Sequence, residues 1–261
     1  MLATKFSQPY FGPYLACRRS WPQIYWHQQR LIKYAAHSLP MVRMDILEIG
    51  SWAGASAYSW CEAISKYFGG AGEVTCVDLW DDASEFERQF KDDTYSIKDV
   101  FNHNISAAGF EGRVRAIQAS SDQAFADLAG RQFDLVYIDG AHSYSQVCRD
   151  LVNAMELIGT GGILCGDDLE IQAEELKPAQ LKAASEFEAG WAIDAASGNG
   201  YHPGVTRAVG ENIGPVSNWG AFWAVANSGH GWELINLDGI EAEIPRPLVQ
   251  YDNEGNKVFD F

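Results

Sequence analysis

What most constrains this chain is an alternation, from residue 45 onward, of short apolar runs with stretches long enough to be helices. The runs DILEI (45–49), EVTCV (73–77), RVRAI (113–117), FDLVYI (133–138) and GILC (162–165) have the length and apolar continuity of buried strands. Helix-compatible stretches lie near 54–68, 95–108, 121–129 and 143–158. Parallel neighbours in a sheet need crossovers of a dozen residues or more, and these stretches supply them. The pattern therefore predicts an α/β fold: an open, mostly parallel seven-stranded sheet, helices on both faces, right-handed crossovers. AFWAVA (221–226) and WELINL (232–237) read as its last two strands, a closing hairpin on the sheet edge.

Upstream, Ser20 before Trp21-Pro22 reads as a helix cap and first turn, with the helix running to about His37 and closed by Pro40. Residues 1–40 are thus expected to be a helical extension, and 41–261 the α/β domain. Charge narrows the partners: 19 Lys and Arg against 35 Asp and Glu leave −16. Such a surface repels the phosphates of nucleic acid and of an anionic membrane, so a small-molecule partner is expected. Five cysteines without a CxxC pair argue against disulfides and against zinc, and read as buried thiols in a reducing compartment. There is no signal-peptide pattern and no long apolar run, so the expected location is the cytoplasm. A homo-oligomer stays open.

The first strand runs into Glu48-Ile49-Gly50-Ser51-Trp52-Ala53-Gly54. A glycine turn here lets backbone approach a ligand at the carboxyl end of the sheet. A dinucleotide site needs GxGxxG, and Trp52 occupies the second glycine position, so the indole fills the pyrophosphate's space. The pattern ExGxxxG resembles the first motif of class I S-adenosylmethionine-dependent methyltransferases, whose fold is Rossmann-like. The resemblance implies that Gly50, Ser51, Gly54 and the nearby backbone approach S-adenosyl-L-methionine, with Glu48 in the motif's acidic position. It implies that Asp78, ending the second strand, holds the ribose hydroxyls; a carboxylate can accept both bonds from a vicinal diol. Ser120 and Ser121, with Asp122, follow the third strand, where the family contacts adenine.

The fourth strand ends in IDGAHSY, placing Asp139 at its tip and His142 three residues on; the fifth ends in GGILCGDDL, with Asp167 and Asp168. Neighbouring parallel strands bring these side chains to one edge, where three carboxylates call for a cation or shared protons. An oxygen-rich set suits Mg²⁺, Mn²⁺ or Ca²⁺. His142 titrates in the range needed to take a proton at neutral pH. These two segments resemble a methyltransferase subgroup that includes metal-dependent sugar O-methyltransferases and cephalosporin-hydroxylase-like proteins. The resemblance implies Asp139, Asp167 and Asp168 as ligands of a divalent metal, Mg²⁺ first, with Asp139 also serving the cofactor and catalysis and His142 acting as base. The implied reaction is O-methylation of a small hydroxylated acceptor such as a sugar. Rival readings are a hydroxylase or oxidoreductase on the same sheet, or a non-catalytic binding module.

Other features are expected to be structural. Tyr144, Val147, Cys148 and Leu151 follow helical spacing as core or wall, and Asp150 reads as a salt-bridging surface group. The acidic stretch 81–93 reads as solvated. Among the aromatics Trp191, Tyr201, Trp219, Phe222 and Trp223, most are expected to pack in the core. The Gly-rich region 197–220 reads as loops, and GNGYHPGVTR (198–207), with His202 and Arg207, as a substrate-facing lid.

Overall fold

The computed structural model describes residues 21–81, 95–184 and 190–243. The expected cap at Ser20 and residues 82–93 of the acidic stretch lie outside the described residues. Two compact units emerge, one reaching Ser120 and including the segment from Leu237, the other spanning Ser121–Asn236.

The first unit holds α1 (Trp21–Ser38), β1 (Ile46–Ile49), α2 (Ala55–Tyr67), β2 (Val74–Asp78), α3 (Ile97–Ala107) and β3 (Val114–Gln118). Strand β2 pairs in parallel with β1 on one side and β3 on the other. All four residues of β1 are buried, its three apolar residues and Glu48 alike. Ser96 and Asp99 open α3 with a reciprocal cap: Asp99 N–H donates to Ser96 Oγ, and Ser96 N–H donates to Asp99 Oδ2. Helix α1 lies on α2, where Gln29 Nε2 donates to the Ser59 carbonyl at 2.7 Å. It also ties down the chain from Leu237. Arg30 donates to the carbonyls of Leu237 and Ile240, Lys33 to that of Glu241, and Trp26 Nε1 to that of Ala242. An irregular segment has no ladder to satisfy its carbonyls, and these side chains satisfy them instead.

The second unit holds α4 (Ser121–Asp127), β4 (Phe133–Ile138), α5 (Tyr144–Glu156), β5 (Ile158–Gly166), a 3₁₀ turn (Ala173–Glu175), α6 (Pro178–Ala184), β6 (Ala192–Ile193), β7 (Gly200–Tyr201), α7 (Pro203–Asn212), β8 (Ser217–Trp219), β9 (Phe222–Asn227) and β10 (Trp232–Leu234). Strands β4 and β5 are parallel, β9 runs antiparallel to β5, and β8 and β10 both pair with β9. The β9–β10 hairpin is as expected. Strand β8 and the separate β6–β7 hairpin are additions, too short to carry a periodicity signal. The architecture is α/β and Rossmann-like, with a mostly parallel sheet.

The region read as glycine loops contains a helix, α7, with Pro203 in its first turn and His202 at its cap. Its Gly204 permits close packing: a Cβ there would lie 2.2 Å from the His142 carbonyl oxygen. The expected lid is thus corrected to a packed helix start. Asp150 is corrected too; it is 1% exposed, and Gln146 Nε2 donates to its Oδ1 at 2.9 Å. Cys61, Cys76 and Cys165 are free, buried thiols. Among the described residues, no helix is long and apolar enough to cross a membrane.

Candidate active site

In the first unit the glycine turn is built from backbone outward. Gly50 and Gly54 take φ of 91° and 84°, a region glycine enters without penalty, and Trp52 takes 40°. Gly54 seats the start of α2 on Phe101; an added Cβ would meet the ring at 2.8 Å. Asn104 Nδ2 donates to the Ala53 carbonyl at 2.8 Å. Asp78 clamps the turn from the end of β2. Its Oδ2 accepts from Trp52 N–H at 2.9 Å and its Oδ1 from Trp80 N–H at 2.8 Å. Burial raises the Asp78 pKa, and the bonds from the Trp80 and Trp52 amides oppose that rise. Each carboxylate oxygen has a second lone pair, so the group still suits a diol.

Glu48 precedes the turn on β1. It is 0% exposed, with Cys76 Sγ donating to its Oε2 at 3.4 Å and Ser51, Ser56 and Trp60 around it. Burial raises its pKa. Glu48 thus lies beneath the turn, closed off from solvent. Ser51 is buried as well, Gly50 and Asp78 are half-buried, and Ser120 is exposed.

In the second unit, α4 starts at Ser121, whose Oγ accepts from Gln146 Nε2 at 3.0 Å. Asp139 stands at the tip of β4, half-buried, and its Oδ2 accepts from Tyr137 Oη at 3.0 Å. Asp167 stands at the adjoining tip of β5, its N–H donating to the Ile138 carbonyl at 3.2 Å. The next residue, Asp168, takes φ 65°, an uncommon conformation that aspartate tolerates better than most residues. Its carboxylate faces two histidines: His142 Nε2 is 2.8 Å from Oδ2 and His202 Nδ1 is 3.5 Å from Oδ1. The imidazole centroids are 4.5 Å apart. Glu170 backs His202, its Oε1 3.0 Å from Nδ1 and its Oε2 accepting the His202 N–H at 3.2 Å.

Asp168 is placed to stabilise a protonated His142. Burial opposes the charged form of His142, but Asp168 and Glu170 outweigh it and raise its pKa. Burial likewise disfavours the Asp168 carboxylate, and the bond from His142, with the charge of both histidines, turns the shift downward. His142, Asp168 and His202 form the one group among the described residues whose donor atoms all lie within 4.8 Å and can share a metal ion. Asp139 and Asp167, expected beside Asp168 as ligands, are not members of it. His202 and Glu170 were invisible as partners of His142, because only the docking of α7 by Gly204 brings them there.

In open α/β sheets, ligands bind at the carboxyl ends of the strands. Residues 47–169 match the model of a family described as a methyltransferase domain. The chain is 26% identical over 177 residues to an uncharacterized protein, y4gI, of Sinorhizobium fredii (strain NBRC 101917 / NGR234), covering 66% of this chain and 17% of that protein. It thus spans about a sixth of the length of that curated relative. Among solved structures it is similar to the cofactor-bound Rv0187 from MTB, at 18% identity and TM-score 0.49, covering 77% of this chain and 80% of that one. It is also similar to the O-methyltransferase from Bacillus cereus in complex with SAH, at 17% identity and TM-score 0.46, covering 79% and 81%.

Proposed function

We propose that the protein methylates a hydroxyl oxygen of a small hydroxylated acceptor, such as a sugar, and that the His142–Asp168 pair takes up the acceptor's proton. S-adenosyl-L-methionine supplies an electrophilic methyl group on a sulfonium sulfur. Gly50 and Gly54 give it backbone to lie against, Asp78 offers its spare lone pairs to the ribose hydroxyls, and Glu48 braces the turn from below. Ser120 and Ser121 are assigned to the adenine end. With Asp168 accepting from Nε2–H, neutral His142 keeps Nδ1 to accept the proton, and Asp168 stabilises the imidazolium that forms; Gly190 places no side chain beside Nδ1. Asp139 helps to orient the acceptor. The carrying observation is the 2.8 Å pairing of His142 with Asp168.

A divalent cation is the second part of the reading, and the donor set decides which ion. Asp139, Asp167 and Asp168 together suit Mg²⁺, which leaves His142 as the base; His142, Asp168 and His202 suit a borderline ion such as Fe²⁺ or Co²⁺, and His142 is then a ligand in place of the base. The convergence of the latter three favours the borderline ion. Either ion lowers the pKa of an acceptor hydroxyl bound to it.

Calorimetry with S-adenosylhomocysteine tests the core of the proposal. Binding to the wild type, weakened at least about ten-fold in Asp78→Ala by loss of about 1.4 kcal/mol, supports it. No binding to the wild type sinks it. For the cation, Co²⁺ added to metal-stripped protein should give a ligand-field absorption that His202→Ala loses; a signal lost only in Asp139→Ala or Asp167→Ala assigns the ion to the carboxylate set.

A further inference from the structure

Trp191 stands out as a large aromatic that is 51% exposed beside the histidine cluster. Its position is built. It immediately precedes β6, and the opposite strand offers Gly200, where a Cβ would lie 1.9 Å from the indole. The missing side chain is what lets the ring rest against backbone there. A second contact fixes the other direction: the His202 ring meets the indole edge-on, centroids 4.9 Å apart and planes at 75°. The hairpin is tightened by Asp194, whose Oδ2 accepts from both N–H and Oγ of Ser197 at 2.7 Å, and whose Oδ1 accepts from Gln180 at 2.8 Å. Ile193, two residues on, is 63% exposed. Trp191 and Ile193 together leave an apolar surface open at this hairpin, and Gly200 and His202 hold the indole in place on it.

The surroundings specify the occupant's chemistry. His202 links the indole to His142, the two imidazole centroids 4.5 Å apart. On the other side of the charge balance stand Asp168 and Glu170, with Asp139 and Asp167 at the adjoining strand tips. Four carboxylates against two histidines repel a phosphorylated or carboxylated acceptor. An indole face attracts planar aromatic rings and the C–H face of a sugar alike.

We infer that Trp191 is the acceptor-binding platform: the acceptor presents an uncharged six-membered ring bearing hydroxyls, which stacks on the indole and turns one hydroxyl toward His142. The inference rests on the proposed methyl transfer and names the substrate class for it. Trp191 sets specificity and binding, and the proton chemistry stays with His142. Without a bound cation, these carboxylates disfavour phosphosugars and nucleotide sugars as acceptors.

The test uses the full chain labelled with 5-fluorotryptophan and saturated with S-adenosylhomocysteine, the Trp191 resonance being identified by its absence in Trp191→Phe. Catechol stands for a phenolic ring, methyl β-D-glucopyranoside for a sugar, and glucose 6-phosphate for an anionic one. One neutral probe should shift the Trp191 resonance and show which ring source is preferred. Its dissociation constant should rise about ten-fold in Trp191→Ala and less than about three-fold in Trp191→Phe, the size expected for one stacking contact. S-adenosylhomocysteine affinity should not change. Binding that is indifferent to Trp191→Ala, glucose 6-phosphate binding as well as the neutral sugar, or no shift with either neutral probe overturns the inference. So does a wild type that is dimeric and a Trp191→Ala variant that is monomeric, which would give this surface to a second copy. Failure of the wild type to bind S-adenosylhomocysteine strikes the methyl-transfer reading instead, and the ring titrations without it still decide the platform.

Discussion

The Asp168 carboxylate lies 2.8 Å from His142 Nε2, presented by a backbone turned to φ 65°. An aspartate held in that conformation and shared by two histidines is costly unless its geometry is used. Replacing His142 with Ala should lower turnover by about 10²–10⁴, the range for losing a positioned base. Asp168→Asn keeps the shape but removes the charge, and should lower turnover by a smaller factor. In both, S-adenosylhomocysteine affinity measured by calorimetry should stay near the wild-type value. An equal fall in turnover and in cofactor affinity would deny His142 its role.

Gly54 tests the turn. Gly54→Ala forces a Cβ into a positive-φ residue and against Phe101 at 2.8 Å. Urea unfolding should show a loss of about 1–3 kcal/mol, with weakened cofactor binding at temperatures where the protein is still folded.

His27 gives a pH dependence of known sign. Burial, followed by the neighbouring Arg30 charge, lowers its pKa from 6.5 to about 4. The unfolded chain therefore takes up a proton at higher pH than the folded one. The stability tied to neutral His27 is complete above pH 6.5 and is lost as pH falls toward 4, by roughly 2–3 kcal/mol. His27→Gln should flatten this part of the stability curve, read from melting temperatures between pH 4 and 7.

Arg30 tests the tie between α1 and the segment from Leu237. Arg30→Met keeps the apolar stem and loses the bonds to the Leu237 and Ile240 carbonyls. Limited proteolysis should then cut after Leu237 several times faster, with a stability loss of about 1–3 kcal/mol. Unchanged cleavage would mean that Lys33 and Trp26 suffice.

Gln28 is 0% exposed, and among the described residues neither its Oε1 nor its Nε2 has a hydrogen-bond partner. Gln28→Leu removes that desolvation cost and should raise stability by about 1–3 kcal/mol in urea titrations. A loss of stability would show that the amide is used.

Most of the secondary structure was legible because it depends on local pattern. FDLVYI became β4 and EVTCV became β2 with boundaries shifted by a residue at most, since a continuous apolar run between turn residues has few other ways to be buried. Pro203 carried a helix-start signal that the surrounding glycines masked, so α7 was read as loop. Asp150 reads as a surface group because sequence registers a carboxylate but not the depth at which it sits.

The sequence by itself determined the strand–helix order, the glycine turn, Asp78 at the end of β2, and the placing of Asp139, His142, Asp167 and Asp168 at strand ends. Those follow from spacing along one chain. The tertiary structure alone decided which of them meet. His202 reaches Asp168 because Gly204 lets α7 lie on the His142 loop, Glu170 follows as its partner, and Trp191 reaches His202 because Gly200 yields the space. Contacts between residues tens of positions apart depend on shape at close range, and a side chain that is absent leaves no pattern to read.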